Sequence, residues 1–156
     1  MNITFIAVGK IKETYFKQSI SEYIKRLSPY CSLKIIEISS ESIMDEKDLE
    51  KYKQSEAKKI LQYLNKFSYI ITLEIEGKQL NSIDFARKIK DISNEGINEL
   101  TFIIGGANGL DEIISKEAHF KLSFSKMTFT HQMIRVILLE QIYRAFKILN
   151  NENYHR

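Results

Sequence analysis

Apolar positions along this 156-residue chain change their spacing at regular intervals. Ile3 to Val8 is a continuous apolar run closed by Gly9, the pattern of a strand buried on both faces. Phe16, Ile20, Tyr23, Ile24 and Leu27 then recur at the 3.6-residue period of a helix, which Pro29 stops. Leu33 to Ile38 predicts a second strand. Asp45 to Asn65 predicts a second amphipathic helix, with Leu49, Tyr52, Ile60, Leu61 and Leu64 inward and a dense charged face opposite. Tyr69 to Ile75 reads as a third strand and Glu76-Gly77 as a turn. Ser82 is the expected cap of a helix that points Phe85, Ala86, Ile89 and Ile92 inward. Leu100 to Ile104 is a fourth strand that runs straight into Gly105-Gly-Ala-Asn-Gly109. Asp111 to Glu117 reads as a short helix, Phe120 to Phe124 as a fifth strand, and His131 to Asn150 as a long last helix.

Strands alternating with helices at this spacing predict an α/β layer fold around a mostly parallel sheet, and no linker or repeat divides residues 1–156 into more than one domain. In such sheets ligands bind beyond the carboxyl ends of strands, where loops leave for helices. Three loops stand out there: Glu74 to Gly77, Gly105 to Gly109 and Ser123 to Thr128. Glycines in the first two let backbone come close to a ligand. A Gly-Gly-x-x-Gly loop taken alone is equally a tight turn. The dinucleotide fingerprint and the P-loop are both missing, which disfavours nicotinamide and triphosphate cofactors.

The last helix is apolar nearly all the way round, so more than one of its faces must be covered. One side can lie on the chain's own sheet; a second copy covers the other, and a symmetric homodimer is expected. His131 with Arg135, and Glu140 with Arg144, are spaced i, i+4 and share a helical face. Surface salt bridging explains such pairs on an ordinary helix. Charges in apolar surroundings need a partner or a function. Tyr154-His155-Arg156 ends the chain with an aromatic that can stack on a base and a cation that can meet phosphate.

Composition narrows the class. With 44% hydrophobic and 28% charged residues the chain is an ordinary globular one. Its single cysteine, Cys31, excludes an internal disulfide and a thiolate metal cluster, and reads as a small buried hydrophobe. No signal segment or membrane span is evident, so a cytoplasmic location is expected. The formal charge is only +3. From Lys121 to Arg156, however, six basic residues face two acids, whereas Glu41 to Glu56 holds six acids against three lysines. A polyanion is expected on the C-terminal side.

Four stretches together carry a family resemblance: Ile6-Ala-Val-Gly9; Phe102-Ile-Ile-Gly-Gly-Ala-Asn-Gly-Leu110; Leu122 to Arg135; and Leu139-Glu-Gln-Ile-Tyr-Arg-Ala-Phe-Lys-Ile148 with the closing Tyr154-His155-Arg156. Over its whole length the chain resembles the RlmH family, ribosomal large-subunit pseudouridine N3-methyltransferases of the SPOUT class. The resemblance implies a SPOUT-type parallel sheet with helices on both faces and a C-terminal trefoil knot, an exception to the rule that chains avoid threading. It also implies a homodimer with active sites at the subunit interface, and S-adenosylmethionine held by the three loops. Cofactor contacts then fall on Leu73, Gly105, Phe124, Ser125, Lys126, Met127, Thr128 and Phe129. Thr130 departs from the family, where proline often precedes the histidine, and this makes entry to the helix less rigid.

Methyl transfer from a sulfonium is an in-line displacement that needs no metal, only positioning. N3 of a pseudouridine is a weak acid, so its proton must be removed or the resulting anion stabilised. The resemblance assigns this to Arg144, His155 and His131, with Tyr154 stacking on or hydrogen-bonding to the base. With so little net charge and no appended RNA-binding domain, the expected partner is 23S rRNA already shaped within the ribosome. Two readings compete: a non-catalytic RNA-binding ribosome assembly factor on the same fold, and a Rossmann-type enzyme acting on a small metabolite.

Overall fold

The computed structural model describes residues 1–40 and 46–154. Its elements in chain order are β1 (Asn2–Val8), α1 (Thr14–Leu27), β2 (Ser32–Ile38), one 3₁₀ turn (Glu46–Asp48), α2 (Leu49–Leu61), β3 (Tyr69–Gln79), α3 (Ser82–Asn94), β4 (Glu99–Ile104), α4 (Glu112–Glu117), β5 (Phe120–Ser123) and α5 (Met133–Leu149). The five strands form one sheet in the order β2-β1-β4-β3-β5, and every pair is parallel.

The continuous apolar run of β1 follows from burial on both faces. Ile3, Phe5 and Ala7 join the core under α1, α3 and α5, while Ile6 and Val8 join the smaller core under α2 and α4. The first core takes Phe85, Ala86, Ile89 and Ile92 from α3 and Leu138, Leu139 and Ile142 from α5; the second takes Ala57 and Ile60 from α2 and Ile114 from α4. The chain leaving β3 thus goes to one face and the chain leaving β4 to the other. That divergence opens a crevice at their carboxyl ends, where this fold type binds ligands. Among the described residues no helix is long and apolar enough to cross a membrane.

Three local expectations change. The second helix is regular only from Leu49, and Leu61 is 40% exposed rather than inward; the expected start at Asp45 lies outside the described residues. Asn81, not Ser82, caps α3 by accepting the Asp84 amide at 2.8 Å, and the Ser82 hydroxyl instead donates to Gln141 on α5. Glu76-Gly77 is not a turn. β3 runs through it to Gln79, and its pairing with β5 slips between Leu73 and Lys78, both of which lie opposite Leu122. The intervening residues bulge out of the ladder. Gly77 permits the bulge: a Cβ there would meet the backbone carbons of Leu122 and Lys121 at 2.7 and 2.8 Å.

Candidate active site

The bulge in β3, the glycine loop after β4 and the segment after β5 enclose a cleft of about 350 Å³. Leu73, Ile104, Leu122 and Ile134 give it apolar walls, and Gly105, Gly106 and Gly109 bring backbone to its surface. The glycine loop is folded back on itself. Gly109, at φ 76°, donates to the Gly106 carbonyl at 3.1 Å, and a Cβ on Gly105 would lie 2.7 Å from the Gly109 carbonyl carbon. Only glycine fits at 105.

Of the two carboxylates of β3 that line the cleft, Glu74 and Glu76, the first is tied down. Its carboxylate accepts from Thr72 Oγ1 at 2.6 Å and from Ser115 Oγ at 2.9 and 3.0 Å, so two hydroxyls from β3 and α4 fix its direction. The opposite wall is also self-ordered. Ser123 donates to the Ser125 carbonyl at 3.1 Å, and Ser125 Oγ accepts the Met127 amide at 3.0 Å. Met127 and Phe129 are exposed, the former to 75%, leaving apolar surface at the mouth. A pocket with apolar walls, close backbone and one oriented carboxylate suits a flat heteroaromatic ring attached to a hydroxylated or cationic chain.

His131 lines the same cleft. It precedes α5 rather than lying in it, so it forms no i, i+4 helical pair with Arg135. The entry to α5 is held by Thr130, whose Oγ1 accepts the Met133 amide at 3.2 Å and whose carbonyl accepts the Ile134 amide at 3.0 Å. A proline at 130 has no hydroxyl for the first of these; threonine caps the helix by hydrogen bonding where proline would fix φ. Gln132 Oε1 accepts the amides of Lys12 and Glu13 at 2.8 and 3.3 Å, tying this entry to the loop after β1. Burial first, then the charges of Arg135 and Lys12, pull the His131 imidazole below its ordinary range.

Leu73, Gly105, Phe124, Ser125, Met127, Thr128 and Phe129 all line the cleft, whereas Lys126 is exposed and does not. Among the described residues assigned to catalysis, His131 lines the cleft while Arg144 and Tyr154 gather elsewhere on the chain. Arg144 lies eleven residues beyond the start of α5, about 16 Å along its axis. There it pairs with Glu140 at 2.5 Å, and the bond raises its already high affinity for its proton. Tyr154 joins that group: its hydroxyl donates to Glu140 at 3.3 Å and its ring stands edge-on to Tyr143 at 4.9 Å. Burial, followed by hydrogen bonding to Tyr23, pushes the Tyr154 phenol up to about 12. His155 and Arg156 lie outside the described residues.

The expected C-terminal basic stripe is reduced by internal pairing. Arg135 is 1% exposed and bonded to Glu37 at 2.9 Å, Arg144 is held by Glu140, and Lys147 is bound to Glu152, which also accepts from Tyr30 at 2.9 Å. A buried or bridged cation meets phosphate poorly, because it must first give up a bonded partner. Sequence placed Glu74 in a candidate loop, Glu140 in a pair with Arg144 and Tyr23 on the apolar stripe of the first helix, but gave none of them a part in the site. Helical spacing pointed to Glu140, but nothing local signals that Thr72 and Ser115 orient Glu74.

Residues 1–155 match the family model described as "Predicted SPOUT methyltransferase". Among curated proteins the chain is 55% identical to the "Putative ribosomal RNA large subunit methyltransferase H" of Methanococcus maripaludis (strain C5), with 100% of both chains covered. It is 52% identical to the protein of that name in Methanococcus vannielii, again over 100% of both. Among solved structures it resembles a probable methylase family protein from Haemophilus influenzae Rd KW20, with a TM-score of 0.56 and 14% identity over 99% of this chain and 70% of that one, a likeness of fold alone. The chain belongs to the SPOUT methyltransferase family.

Proposed function

We propose that this protein methylates N3 of a pseudouridine in 23S rRNA, acting as a homodimer in the cytoplasm on the assembled ribosome. The observation that carries the proposal is the meeting of three strand-end loops on one cleft, with glycine at 105 where any side chain would strike backbone. Names of relatives at 52 and 55% identity over the full length support the large-subunit rRNA substrate.

S-adenosylmethionine, when bound, supplies an activated methyl group on a sulfonium. Leu73, Leu122 and Ile134 would hold its ring, Gly105 and Gly106 would approach it with backbone, and Glu74 would offer its carboxylate to the hydroxylated or cationic part. The C-terminal trefoil knot implied by the resemblance belongs to this proposal, as does a place for Lys126 near the rim. Separation of His131 from Arg144 and Tyr154 supports the dimer. Antiparallel docking of two α5 helices sets one protomer's cleft beside its partner's C-terminal cluster. Met133 is exposed, and Ile137, Ile148 and Leu149 are only half-buried, leaving apolar surface for that contact. In the assembled site Arg144, His155 and His131 favour loss of the N3 proton or stabilise the resulting anion, and Tyr154 stacks on or hydrogen-bonds to the base.

The test is methyl transfer from labelled S-adenosylmethionine to assembled ribosomes from cells lacking this gene, read by mass spectrometry of rRNA nucleosides. N3-methylpseudouridine should appear on intact ribosomes and not on a short isolated hairpin. RNA binding with no transfer under any condition would leave the assembly-factor reading in its place.

A further inference from the structure

Phe67 is 86% exposed, more than any other large apolar side chain among the described residues. A built turn holds it there. Its amide donates to Asn65 Oδ1 at 3.0 Å, and the Ser68 amide donates to the Asn65 carbonyl at 3.0 Å. Ser68 is itself buried, and its hydroxyl shares a 2.6 Å hydrogen bond with that of Thr101 on β4. Tyr69, two positions on, has its ring stacked on His119 at 4.9 Å, with the Lys88 ammonium 5.2 Å from its centre. Phe67 meets water instead, although a ring of that size gains much from being covered.

Charge along this stretch has one sign. Between Glu56 and Glu74 the sequence holds Lys58, Lys59 and Lys66 and no acid. Lys58 and Lys66 are exposed, and Tyr63 is half-exposed between them. Glu99, which opens the neighbouring strand β4, is engaged by the Asn2 side-chain amide at 2.7 Å. An apolar partner surface has no use for such lysines, whereas a polyanion whose units each carry a flat ring matches both features. The turn precedes β3 and therefore stands at the amino end of that strand. Leu73, where the cleft begins, lies about 13 Å beyond Tyr69 along it.

Resting on the rRNA reading above, we infer that residues 65–68 form a second RNA contact outside the cleft, in which the Phe67 ring stacks on an unpaired base while Lys58 and Lys66 meet adjoining phosphates. Stacking of this kind accepts any base, because each has a flat face. The turn therefore adds grip and register, and the cleft chooses the nucleotide. Such a contact is needed because the C-terminal cations Arg135, Arg144 and Lys147 are already bonded within the chain. A turn fixed in advance also loses little freedom on binding, which favours affinity.

The chain has no tryptophan, so Phe67→Trp introduces a single indole at the exposed position. Its fluorescence should be quenched when single-stranded oligouridylate or oligoadenylate is added to the full-length protein at low salt. Wild type and Phe67→Trp should bind these alike, while Phe67→Ala and Phe67→Leu should each bind about 10-fold more weakly with thermal unfolding unchanged. Leucine keeps apolar surface and loses the flat face, which separates a base from an apolar partner protein. Lys66→Gln should reduce the slope of log affinity against log salt by about 0.7. On ribosomes, Phe67→Leu should raise KM and leave kcat and S-adenosylmethionine affinity as they are. Binding without quenching, no binding at low salt, or wild-type affinity in Phe67→Ala or Phe67→Leu overturns the inference. Quenching as stated, in a protein that transfers no methyl group to ribosomes, overturns the proposed function instead and leaves this contact standing.

Discussion

The guanidinium carbon of Arg144 stands 4.7 Å from the centre of the Tyr154 ring, while Glu140 grips the same guanidinium from one helical turn away. Arg144 is thereby held between an aromatic face and a carboxylate, with its direction set before any RNA arrives. Glu140→Gln should keep the helix and loosen that hold. We expect kcat to fall about 10-fold, the equivalent of one charge-assisted hydrogen bond, with affinity for S-adenosylmethionine unchanged. Calorimetry and single-turnover rates on the same preparation separate the two effects.

Gly105→Ala should act on the cleft. Its Cβ cannot coexist with the folded glycine loop, so the loop must open. At a hundred times its dissociation constant, S-adenosylmethionine should raise wild-type stability by about 2.7 kcal/mol. In the variant, at the same concentration, no such gain should be seen in thermal unfolding.

Gly77→Ala should act on the sheet. Backbone on β5 blocks the new methyl, and overpacking of this kind costs about 1–3 kcal/mol. Gly96→Ala is the comparison: no atom lies within 4 Å, and only its φ of 82° opposes a side chain, costing about 1–2 kcal/mol. Urea unfolding of both variants should show the Gly77 loss accompanied by weaker cofactor binding and the Gly96 loss without it.

Alkaline pH should weaken the fold. Burial pushes the Cys31 thiol from its ordinary 9.0 up to about 11, and Tyr154 rises from 10.0 to about 12. Both groups hold their protons more tightly folded than unfolded. Their contribution is therefore complete below the unfolded values and is lost as pH climbs through the folded ones. Denaturation midpoints should hold up to about pH 9 and decline above it, with a shallower decline in Cys31→Ala.

Legibility in the sequence followed the range of the interaction. β1, β4 and α5 announce themselves through unbroken or periodic apolar residues, because burial on two faces leaves few positions for charge. Gly77 reads as a turn because a glycine after a strand commonly is one. Its actual neighbours, Lys121 and Leu122, lie more than forty residues away. Arg135 reads as a helical partner of His131, yet its carboxylate is Glu37 on another strand. Leu61 has inward spacing but is the last residue of its helix, and it is left 40% exposed. The cleft loops could be found by their glycines, whereas the orientation of Glu74 depends on hydroxyls from two other segments.

Arg135 grips the carbonyls of Val8 and Gly9, and Gln132 accepts the amides of Lys12 and Glu13. The joint between the first strand and the last helix therefore cannot close until residues 132–135 have been made. Contacts of such sequence separation fold slowly and leave early-made segments waiting. A messenger truncated before codon 132 should yield a product that never matures and is cleared by proteases. Maturation is thus decided at a joint whose partners lie up to 127 positions apart.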